Sequence, residues 1–132
     1  MRKALFTRAR FEEVAGEEFD RVPERFKRRL DNVVLLVEED SPGGELLGEY
    51  HGVPQTARGE FYSGALPDTI TLYFRPLLEE AQFLLEERRA QTYEEAVRLA
   101  IRETLWHEIG HYFGLSDPEI HEREDEGTNE FR

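Results

Sequence analysis

The residues best placed to do chemistry lie in one stretch, HEIGHYFGLSD, from His107 to Asp117. On a helix, residues four apart stack on one face, so His107 and His111 can turn both imidazoles toward one cation. Glu108 sits about 100° further round the helix. There its carboxylate reaches a water on that cation rather than the cation itself. Gly114 can adopt positive φ, which ends the helix and turns the chain back so that Asp117 offers a third, oxygen ligand. Three protein ligands leave a fourth position open, and that openness distinguishes a catalytic zinc site from a closed structural one. A bare HExxH occurs by chance in helical proteins with ordinary half-buried histidines. The glycine and aspartate at their offsets argue for a metal site here. His121 and Glu122 are rival third ligands, but Asp117 needs only the turn that Gly114 permits.

These ligands need a rigid carrier. Thr92-Tyr93-Glu94-Glu95 has the pattern of a capping box and predicts a helix from Tyr93 to Phe113. One stripe, Val97, Ala100, Ile101 and Thr104, runs on into His107, Glu108 and His111. A second stripe holds Leu99, Trp106, Ile109 and Phe113. A helix apolar on one side at its start and almost all round at its end is driven into the middle of the protein. The metal then sits at the edge of the core, on the floor of a cleft.

Upstream, Phe11, Val14, Ala15 and Phe19 predict an amphipathic helix over residues 7–20, and Pro23 fits the first turn of a second helix ending at Leu30. The β-branched run Val33 to Val37 is too short for a buried helix and reads as a central strand. Residues 38–59 are interrupted by Gly43, Gly44, Gly48, Gly52, Pro54 and Gly59, with a short strand at most over Leu46 to Tyr50. So much irregular chain in a small domain predicts a wall or lid of the cleft. His51 within it reads as an exposed loop histidine rather than a ligand. Residues 60–66 read as a short strand or hairpin arm, and Thr69 to Phe74 as a strand. Pro76 then opens a helix carrying Leu77, Leu78, Ala81, Leu84, Leu85 and Arg88. Its Glu79, Glu80, Glu86 and Glu87 read as a solvated face.

The chain has 132 residues, enough for one domain with a real core. That domain is expected over residues 1–124, with 125–132 an acidic, frayed tail. Cysteine is absent, so any metal must be held by His, Asp or Glu. The basic start MRKALFTRAR is not followed by an apolar run, which predicts neither signal peptide nor membrane span and a cytoplasmic location. A net charge of −12 argues against a nucleic-acid partner and suits cationic ones. The scarcity of Lys, Asn and Gln is the composition of a thermophilic source and equally of a biased genome.

The motif resembles the zincin metallopeptidases, specifically the metzincin spacing in which the third ligand lies six residues after the second histidine. VVLLVEED, LLGEYHGVP and GALPDTITLYFRPLLEEA extend the likeness to the compact bacterial zincin-like metallopeptidases. This resemblance implies a minimal α+β zincin-like domain, a small mixed sheet packed on helices with a long C-terminal active-site helix. It also implies one zinc ion on His107, His111 and Asp117, with Glu108 as general base. Two departures stand out. The third ligand is Asp where His is usual, and the only methionine is Met1, so the Met-turn beneath the metal is missing. In zincins an extended substrate pairs with a sheet edge, for which residues 60–66 are the expectation here.

The expected activity is zinc-dependent hydrolysis of peptide bonds in a peptide or protein substrate, through metal-bound water. One alternative is a metal-stabilised binding module that keeps the site without turnover. Another is a metal-dependent endoribonuclease, against which the acidic balance and Glu108 both count. Candidate donors for the reaction's oxyanion are Tyr50, Tyr62, Tyr112 and His121.

Overall fold

The computed structural model describes residues 6–30, 32–52 and 67–114. The first helix, α1 (Arg8–Asp20), begins where the Thr7 hydroxyl accepts the Arg10 N–H at 3.0 Å. Phe11, Val14 and Ala15 are buried, as their spacing predicts, and Phe19 packs at the core's margin. Glu18 is buried with them at 0% exposure. Its carboxylate accepts from Arg98 Nη1 at 3.0 Å, Arg102 Nε at 3.1 Å and Arg21 Nη1 at 3.2 Å. A buried carboxylate is tolerated only when paired in this way. The pairing ties α1 to the helix that carries the histidines.

Pro23 caps α2 (Glu24–Lys27) from just outside it, and the chain then tightens into a 3₁₀ turn, Arg28–Leu30. The expected single helix is thus two short pieces. Leu30 still points inward.

Three strands follow among the described residues: β1 (Val33–Glu38), β2 (Gly48–His51) and β3 (Asp68–Tyr73). Their order is β1-β3-β2, with β1 parallel to β3 and β2 antiparallel to it. The mixed sheet agrees with the expected α+β class. The central place of Val33 to Val37 does not hold among the described residues, where β3 is central and β1 has one neighbour. Val33, Leu35 and Val37 pack on the core, whereas Val34 and Leu36 are 40% and 39% exposed. An unbroken apolar run conceals this alternation of core-facing and outward residues.

Helix α3 (Phe74–Glu86) starts directly after β3, so Phe74 is helical rather than the strand's last residue. Pro76 stands third in the helix, where a backbone N–H would have no intrahelical acceptor and its loss costs nothing. Leu77, Leu78, Ala81 and Leu84 face the core. Arg88 lies beyond the helix at φ 63°, with its N–H bonded to Leu85 O and that of Arg89 to Leu84 O, each at 3.0 Å. These bonds satisfy the last carbonyls of α3.

The long helix α4 (Tyr93–Tyr112) has the predicted capping box, Glu95 N–H to Thr92 Oγ1 at 3.1 Å and Thr92 N–H to Glu95 Oε1 at 3.3 Å. It packs on α1, α3, β2 and β3. Val97, Ala100, Ile101 and Thr104 are buried, as are Leu105, Ile109 and Tyr112. Trp106 and Phe113 instead form a half-buried aromatic group with Phe26, with ring centroids 5.1 and 6.3 Å from it. Among the described residues no helix is long and apolar enough to cross a membrane.

Candidate metal centre

The last turns of α4 bring His107, Glu108 and His111 together. One donor atom from each lies within 4.8 Å of the others, and the two imidazole centroids are 5.0 Å apart. Both histidines are half-buried and Glu108 is 7% exposed. Two imidazoles and a carboxylate at this spacing fit a divalent transition metal such as zinc, with Glu108 adjoining rather than stacked on the histidine pair. The helix ends where expected. Gly114 has φ 88° and its N–H bonds His111 O at 2.9 Å, a turn that a side chain would strain. Asp117, its rivals His121 and Glu122, the tail 125–132 and the expected edge strand 60–66 lie outside the described residues.

Two features that the sequence did not disclose shape the centre. The first is a close approach of β2 to α4. A Cβ on Gly48 would stand 2.7 Å from Thr104 Cγ2, 3.0 Å from Thr71 O and 3.6 Å from Glu108 Cγ. Gly48 therefore lets the start of the strand lie against the helix at the level of Glu108. The second is a groove of about 320 Å³ between residues 45–48, Glu80 on α3 and the α4 face from Ala100 to Glu108, with His107 and Glu108 at one end. The irregular stretch after β1 thus forms a wall of the cleft, as its composition predicts. Glu80 belongs to that cleft instead of a wholly solvated face.

The candidate oxyanion donors are engaged elsewhere where they can be described. Tyr50 OH donates to Asp68 Oδ2 at 2.6 Å and Tyr112 OH to Arg29 O at 2.8 Å, while their rings meet edge to face at 5.9 Å. Tyr62 and His121 are outside the described residues. His51 ends β2 exposed, its Nε2 3.5 Å from Glu49 Oε2, and takes no part in the histidine pair.

Tyr73 donates to Glu49 Oε1 at 2.8 Å, and burial with this carboxylate pushes its pKa up to about 12; Tyr93, raised by burial alone, also reaches about 12. Between the ordinary value of 10.0 and about 12 the unfolded chain releases these protons while the folded chain keeps them. Stability therefore falls as pH rises through that window. Absorbance titration should show at least two of the five tyrosines, Tyr73 and Tyr93, ionising only near pH 12, alongside unfolding. Five native-state tyrosines titrating together near their ordinary value would contradict this burial.

A family model described as zincin-like metallopeptidase matches residues 30–127. Among solved structures, the chain is similar to a conserved hypothetical protein from Thermo thermophilus, at 27% identity and a TM-score of 0.51. The match covers 92% of this chain and 99% of that one. No curated protein matches.

Proposed function

Since the chain belongs to the zincin-like metallopeptidase family, we propose that it is a zinc-dependent peptidase with Glu108 as its general base. The observation that carries this reading is the convergence of His107, Glu108 and His111, the first two of which line one end of an open groove. His107 and His111 would hold the metal from one helix face, with Asp117 as the proposed third ligand. When bound, zinc would supply Lewis acidity for the scissile carbonyl and for the attacking water. The chain's own chemistry is proton transfer. Glu108 takes a proton from the attacking water as the carbon–oxygen bond forms. It then hands that proton to the leaving amine as the carbon–nitrogen bond breaks. Partial burial of the carboxylate suits this role, because a base screened from bulk water exchanges its proton with the substrate rather than with solvent.

A second reading, a metal-stabilised binding module without turnover, is favoured by one observation. Among the described residues, Tyr50 and Tyr112 have committed their hydroxyls to Asp68 and Arg29, so neither is poised for an oxyanion. One experiment separates the two. Protein carrying one equivalent of zinc is incubated with a broad peptide library, with and without a chelator. The peptidase reading expects cleavage that chelation stops and added zinc restores. Stoichiometric zinc and a chelator-sensitive melting temperature, with every peptide intact, would establish the binding module instead.

A further inference from the structure

We propose that the groove beside the metal centre is a subsite for a basic side chain, lysine or arginine, of the substrate. This inference rests on the peptidase reading and adds its specificity. The groove is built for a long side chain with an apolar stem and a cationic end. Leu46, Leu47 and Ala100 supply aliphatic wall, and Glu80 and Glu103 supply carboxylates, while His107 and Glu108 close the end nearest the reaction. Lysine and arginine match that order, because their methylenes cover apolar surface while the charged head seeks acceptors.

The charges are not balanced within the fold. Arg89 Nη2 is 2.7 Å from Glu103 Oε2 and is thereby engaged. Glu80 has no such partner among the described residues. Loss of hydration and the nearby charges of Glu103 and Glu87 hold its carboxyl above the usual carboxylate range, with Arg89 only partly opposing them. A cation entering the groove relieves that repulsion.

A separate observation also points to a ligand. Thr104 is 6% exposed and lines the groove, yet its hydroxyl makes no hydrogen bond to any described residue. Its methyl is turned toward Gly48, and its hydroxyl is a further acceptor for a donor in the groove. A guanidinium or ammonium N–H passing along α4 would donate to it. The formal net charge of −12 adds long-range attraction for the same class of substrate.

The test reads binding apart from turnover. Zinc-loaded Glu108→Gln protein is titrated, by fluorescence anisotropy, with labelled hexapeptides in which arginine or its neutral isostere citrulline is placed at each position in turn. At one or two positions arginine is expected to bind about tenfold tighter, the scale of one charge-assisted hydrogen bond. Glu80→Gln in the same background should level that difference while leaving the citrulline peptides unchanged. Glu80→Arg should shift the preference to glutamate at that position. Circular dichroism melting verifies that each variant folds. Equal binding of arginine and citrulline, a preference that survives Glu80→Gln, or no saturable binding of any peptide overturns the proposal. Cleavage of the same peptides by the wild-type zinc protein is scored separately. Tight, Glu80-dependent binding with every peptide intact would overturn the peptidase reading and uphold the groove.

Discussion

Glu108→Gln is expected to lower peptide hydrolysis by about 10²- to 10⁴-fold, the usual contribution of a positioned general base. The zinc content should stay at one equivalent, because the proposed ligands His107, His111 and Asp117 are untouched. Glutamine keeps the shape and hydrogen-bonding capacity of the side chain in its largely buried setting, so the fold should persist. What it loses is the ability to accept a proton from water and return it to the amine. His111→Ala is the contrasting variant. It removes one of the two stacked imidazoles, so it should lose metal and activity together. Hydrolysis rates and bound zinc, measured on the same preparations, distinguish these outcomes. A Glu108→Gln protein as active as wild type would remove Glu108 from the reaction.

Gly48→Val is expected to destabilise the protein by about 1–3 kcal/mol, the range for forcing extra carbon into a packed interface. The clash is directional. Thr104 Cγ2 at 2.7 Å belongs to a short, buried side chain, and Thr71 O at 3.0 Å is backbone of the central strand, so neither can swing aside freely. Relief requires β2 to move off α4, and that widens the groove at the level of Glu108. Urea unfolding should report the stability loss, and the KM of a cleaved peptide should rise with it. Gly48→Ala tests the same contact with one carbon. An alanine variant with wild-type unfolding and kinetics would show that strand and helix are not in obligatory contact there.

The contrast between these two positions shows where sequence reasoning stops. Glu108 is legible because its role depends on helical periodicity and on its own chemistry. Both are local. Gly48 appears in the sequence only as one of several glycines interrupting an irregular stretch. Its importance comes from Thr104, more than fifty residues away along the chain. Glu18 is similar. Its place on α1 marks it as solvent-facing or buried with equal ease, and only the arrival of Arg98 and Arg102 from α4 decides for burial. Glu80 reads as one of four glutamates on a polar helix face until residues 45–48 fold over it and enclose the groove. The alternation of β1 between core and solvent escaped for a different reason, since five consecutive apolar residues carry no period at all.

The sequence by itself determined the capped helix from Tyr93, the pairing of His107 with His111, the place of Glu108 and the glycine turn that ends the helix. These follow from the fixed geometry of 3.6 residues per turn and from the φ that glycine alone takes without strain. Only the tertiary structure decided what faces that helix: β2 at Gly48, the tyrosines committed to Asp68 and Arg29, and a groove carrying the charge of Glu80. The physical reason is that a helix positions its own side chains within one turn. The groove, by contrast, is made of surfaces from α3, α4 and the chain before β2, which meet only when the core closes.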